Sequence, residues 1–67
     1  MRFDDNKKYM IIPNKYDFCY FLSEVEEFDN FICVKYQGEW IGLVEKDGIY
    51  ISFSEPWLHD TFRIKSI

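Results

Sequence analysis

The chain has 67 residues, 48% of them apolar, and a formal net charge of −4 at pH 7. A chain this short forms one domain, residues 1–67, and buries only about 60% of the surface its unfolded form exposes. Its apolar content excludes disorder, and no apolar run approaches the roughly 20 residues of a membrane-spanning helix.

The start, "MRFDDNKKY", lacks the apolar stretch of a signal peptide, so the cytoplasm is the expected compartment. Cys19 and Cys33 form no C-x-x-C pair, and in a reducing compartment both stay free thiols. With His59 as the single histidine they fall short of a tetrahedral metal set, so neither metal nor cofactor is expected. Aromatic residues make up 21% of the chain: seven Phe, five Tyr and two Trp. Each ring buries about 150–250 Å², which can stabilise a small domain without metal or disulfide.

Residues 1–7 are polar. "KYMII" (8–12) predicts a short strand, stopped by Pro13. Residues 13–30, "PNKYDFCYFLSEVEEFDN", predict an amphipathic helix. Asn14 caps it and Asp17 completes a capping-box-like start. Phe18, Phe21, Leu22, Val25 and Phe28 fall on one buried stripe, and Asp29-Asn30 ends the pattern.

"FICVKY" (31–36) and "EWIGLV" (39–44) predict a hairpin around Gln37-Gly38, with Ile32 opposite Leu43 and Val34 opposite Ile41. For the next turn a three-residue loop, Lys46-Asp47-Gly48, with Gly48 in a bulge, places Ile51 and Phe53 on the face of Ile41 and Leu43. The stretch "FSEPWLHDTF" (53–62) is expected to fold over the core as a lid anchored by Trp57. "TFRIKSI" (61–67) is the last strand. The expected fold is α+β, one helix on a small antiparallel sheet in the order β-α-β-β-β-β, with an SH3-like barrel as the alternative.

Chemistry is sparse. The three glycines form no phosphate-binding loop. Cys33, between Ile32 and Val34, suits an inert thiol more than the nucleophile of a Cys–His dyad. The carboxylates sit where solvated charge belongs, and His59-Asp60 fits a loop better than a general base. No catalytic activity is expected. Lys35, Trp40 and Tyr50 could form a base-stacking platform, with Trp57 in the same second surface. The net charge opposes that platform, and a Lys35–Trp40 cation–π pair is the plainer account.

The charge distribution points elsewhere. Residues 15–29 hold Lys15 and five acids, Asp17, Glu24, Glu26, Glu27 and Asp29, which carry all of the net charge. Acids in the last turns of a helix oppose its dipole, and such a departure from local preference marks a place to look for function. The predicted outward face carries Tyr16, Tyr20, Ser23 and Glu27, with Glu24 at its edge. Tyr16, Tyr20, Glu24, Glu26 and Glu27 are therefore the candidate partner-binding residues. The expected role is a small cytoplasmic binding protein, an inhibitor or adaptor of the phage or mobile-element type. It would engage a basic surface of a nucleic-acid-processing protein. The alternatives are a nucleic-acid-binding module and a structural homodimer subunit.

Overall fold

The computed structural model describes residues 3–15 and 18–67. These residues form seven strands: β1 (Tyr9–Pro13), β2 (Tyr20–Phe21), β3 (Val25–Glu27), β4 (Ile32–Tyr36), β5 (Glu39–Lys46), β6 (Ile49–Ser52) and β7 (Thr61–Ser66). They make one antiparallel sheet in the order β2-β1-β7-β6-β5-β4-β3. Among the described residues there is no helix, so the α+β expectation is overturned; the protein is all-β.

The two ends of the sheet are joined by a few residues of chain. Leu22 N–H donates to the Tyr9 carbonyl, continuing β2 along β1, and Lys35 N–H donates to the Glu24 carbonyl, leading into β3 beside β4. Segment 20–27 thus turns a corner and curls the sheet into a half-barrel. The SH3-like alternative fits this arrangement.

The corner explains why the stretch imitates a helix. Tyr20 and Leu22 turn inward and Phe21 outward, as a strand requires. Two exposed residues, Ser23 and Glu24, then precede the next inward residue, Val25. That spacing of three reproduces the first step of a helical stripe. The rest of the stripe fails: Phe18, Phe21 and Phe28 are all exposed, and only Leu22 and Val25 pack on the core. Asn14 caps nothing; its N–H donates to the Thr61 carbonyl and its Nδ2 to Thr61 Oγ1, at 3.0 and 2.8 Å. Asp17 and Tyr16 lie outside the described residues.

The remaining strands alternate as half-buried strands do. Ile32, Val34 and Tyr36 of β4 face Ile41 and Leu43 of β5, with Ile32 opposite Leu43 and Val34 opposite Ile41. Ile11, Phe62 and Ile64 close the core from β1 and β7. Tyr36 is its hub, with the rings of Tyr20, Trp57 and Phe62 edge-on at 5.2, 5.0 and 5.1 Å. The 53–60 loop, with a cis Glu55-Pro56 bond, carries Trp57 onto this end of the barrel. His59 lies exposed in that loop, its N–H donating to the Ser52 carbonyl.

The second hairpin departs from the bulged expectation. Lys46 pairs with Ile49 and Leu43 with Ser52, so the loop is the two residues Asp47-Gly48. Their φ values of 55° and 82° are the positive pair of a type I′ turn, for which Asp-Gly is a preferred sequence. The one-residue difference turns Tyr50 and Ser52 inward and Ile51 and Phe53 outward. A serine is tolerated inside because its Oγ bonds the N–H and carbonyl of Ser54, each at 3.2 Å.

Candidate functional site

The outward face of β3, β4 and β5 carries three cross-strand rows. In the first, Glu24 lies beside Lys35, which is opposite Trp40. The Lys35 ammonium sits 5.7 Å from the Trp40 ring centroid, a cation–π distance. In the second, Glu26 is opposite Cys33, and Cys33 opposite Gly42. Gly42 has no side chain, and the Phe53 ring occupies the space where its Cβ would be. Phe53 N–H donates to the Gly42 carbonyl and Gly42 N–H to Ser54 Oγ, which fix the ring there. The third row is the tight return from β3 to β4, where Phe28 N–H donates to the Phe31 carbonyl. Phe28 stacks on Phe31 at 4.7 Å, and Phe31 meets Phe53 edge-on at 5.6 Å.

The result is an aromatic strip edged by carboxylates. Trp40, Phe28 and Phe53 are 44%, 48% and 49% exposed, and Glu24 and Glu26 stand exposed beside them. Apolar surface of this kind, rimmed by charge, is the pattern of an interaction site.

Beyond β3 the face continues into a cleft of about 450 Å³ between residues 3–9 and residues 22–27, reaching Trp40. Among the described residues its walls hold Asp4, Asp5, Glu24, Glu26 and Glu27 against one cation, Lys7. Glu27 reaches across it, accepting the Phe3 N–H at 3.3 Å. No positive charge on β3 offsets these acids, so the cleft carries a negative potential that attracts cationic groups.

The chain matches no protein-family model, no curated protein and no solved structure. The site therefore rests on its own geometry. Of the expected partner-binding residues, Glu24, Glu26 and Glu27 are brought together, on a strand and not on a helix. Tyr20 is half-buried against Tyr36 and Phe18, its hydroxyl accepting from Gln37 Nε2 at 3.4 Å, so it supports the core and not the face. Of the second surface, Lys35 and Trp40 share a row, whereas Tyr50 is inside the barrel and Trp57 is turned onto Tyr36. Phe28, Phe31 and Phe53 were not expected here; the first was assigned to a helix stripe and the last to the core.

Neither thiol is paired: Cys19 is exposed and Cys33 half-buried. Burial, and then the Glu26 carboxylate, push the Cys33 thiol above its ordinary pKa, which keeps it protonated and a poor nucleophile. Among the described residues no three His, Cys, Asp or Glu converge as metal ligands, and no helix is long and apolar enough to cross a membrane.

At one mouth of the barrel a cavity of about 210 Å³ is lined by Glu27, Asp29, Glu45 and Tyr50. Burial, followed by the Glu45 and Glu27 carboxylates, pushes the Tyr50 phenol up from 10.0 to about 12. A raised phenol pKa favours the neutral form in the fold. That contribution is complete below pH 10 and is lost as pH rises from 10 to 12. Urea unfolding at pH 9 and pH 11 should show the parent losing up to about 1.3 kcal/mol more than Tyr50→Phe over this interval. Equal losses would show that the phenol is solvated.

Proposed function

We propose that this chain is a small, non-catalytic protein-binding module of the cytoplasm. It acts as an inhibitor or adaptor that engages a basic protein surface through the outward face of β3–β5 and the acidic cleft beside it. The observation that carries this reading is the set of cross-strand rows, which place exposed Trp40, Phe28 and Phe53 next to Glu24 and Glu26. The aromatic strip supplies desolvated contact area, and the carboxylates select and steer a cationic partner. Two free thiols fit a reducing compartment. The same rows disfavour a nucleic-acid partner, because Glu24 stands beside Lys35 and repels a phosphate backbone.

The test is affinity capture of the partner from the native host with the parent protein, then binding kinetics at two salt concentrations. Glu24→Gln with Glu26→Gln should slow association several-fold at low salt and little at high salt. Trp40→Ala should act chiefly on dissociation. Stability of the acid variant should stay within about 0.5 kcal/mol of the parent, since both side chains are solvated. A variant pair that binds at parental rates would remove this face from consideration.

A further inference from the structure

The hydrogen-bond pattern of β3 leaves one of its edges open. Lys35 N–H donates to the Glu24 carbonyl and Phe28 N–H to the Phe31 carbonyl, so residues 24, 26 and 28 direct their backbone groups toward β4. In an antiparallel ladder the intervening residues direct theirs the other way. The N–H and carbonyl of Val25 and of Glu27 therefore point into the acidic cleft. Among the described residues no strand pairs with them, because β3 is the last strand in the sheet order. The opposite wall, residues 3–9, holds the cleft apart; its one bond to β3 is the Phe3 N–H on the Glu27 carboxylate.

We infer that this edge receives an extended lysine- or arginine-bearing segment of the partner, which adds to β3 as a further strand. The inference rests on the reading of a basic protein partner and specifies how it is held. An unpaired row of N–H and carbonyl groups is a template for an incoming strand, and main-chain bonds supply affinity whatever the side chains. Specificity comes from the walls. A strand laid along β3 presents alternate side chains to Glu24 and Glu26 on the outer side of the cleft. Among the described residues, five carboxylates against one ammonium in the lining select a cationic strand and repel an acidic one.

The probe is a seven-residue peptide of alternating Lys and Val, compared with an alternating Glu and Val peptide and with a Lys peptide whose valines are replaced by proline. Binding is followed by NMR titration and amide exchange on the full chain. The Lys-Val peptide should bind and slow exchange of the Val25 and Glu27 amides. The proline peptide, equal in charge but unable to donate those bonds, should bind about tenfold more weakly or worse. On the protein side, Glu27→Pro removes an edge N–H that the fold does not use, a position where proline is tolerated. It should weaken binding about tenfold relative to Glu27→Gln, which removes the charge alone. Equal binding of the proline peptide, or Lys-Val binding without protection of Val25 and Glu27, would overturn strand addition while leaving a basic partner in place. No binding of either Lys peptide would count against both. Protection that grows with protein concentration without peptide would mean that a second copy fills the edge, and would overturn the inference.

Discussion

Tyr50→Ala should cost about 3–5 kcal/mol, the range for removing a large buried ring, while Phe53→Ala should cost about 1 kcal/mol or less. The contrast follows from the two-residue Asp47-Gly48 turn. That register puts Tyr50, 3% exposed, among Leu43, Ile32 and Phe62, and leaves Phe53 half-exposed on the outer face. What Phe53 loses is one edge-on contact with Phe31 and its cover over Gly42. A three-residue bulged loop would exchange the two roles and reverse the order of the costs. Urea unfolding of both variants decides between the registers. For a domain this small, a loss of 3–5 kcal/mol approaches the whole stability, so Tyr50→Ala should be largely unfolded at 25 °C.

The same turn carries the second large effect. Gly48 has φ 82° and nothing lies within 4 Å of where a Cβ would stand. Any penalty for a side chain there comes from the backbone and not from crowding. Left-handed conformation costs an ordinary residue about 1–2 kcal/mol, and a β-branched residue tolerates it worst. Gly48→Val should therefore destabilise by about 2–3 kcal/mol, and Gly48→Asn by much less. Thermal unfolding of the two variants beside the parent is the measurement. Equal stability of Gly48→Val and the parent would mean that residue 48 does not hold positive φ.

Much of the sheet was legible in the chain. The strands at 8–12, 31–36, 39–44 and 61–67 appear within a residue or two of where alternation and turn residues put them, and the Gln37-Gly38 hairpin has the expected pairing. Residues 13–30 were misread because inward residues at 22 and 25 share a helix's spacing while belonging to a strand that turns a corner. The evidence against a helix was present in the residues themselves. Glu24, Glu26 and Glu27 would oppose the dipole at a helix end, and on a strand that conflict does not exist. Asp47-Gly48 is likewise a type I′ sequence at face value. The apolar side chains of Ile51 and Phe53 argue for the longer loop, and a buried serine bonded to Ser54 is not visible from hydrophobic pattern. Glu24, Glu26 and Glu27 stand out in the sequence from charge alone, whereas Asp4 and Asp5 of the same cleft do not. Nor does the aromatic strip, since bringing Phe28, Phe31 and Phe53 together depends on a glycine two strands away from the return that holds Phe28.

The pairing of β1 with β7 has a consequence for connectivity. Tyr9 lies opposite Ser66, and Ile67 N–H donates to the Lys8 carbonyl at 2.8 Å, so the first and last strands are neighbours. Of the strand pairs in the sheet this one joins the parts of the chain most distant in sequence, the slowest kind of contact to close. A short linker from residue 67 to residue 3, with new ends opened at Asp47-Gly48, would keep every strand neighbour. It would turn the β1–β7 ladder into a local hairpin and shift the long-range closure to β5 and β6. The order in which the barrel assembles is thus a property of which strands the turns connect, separable from the packing that holds it once formed.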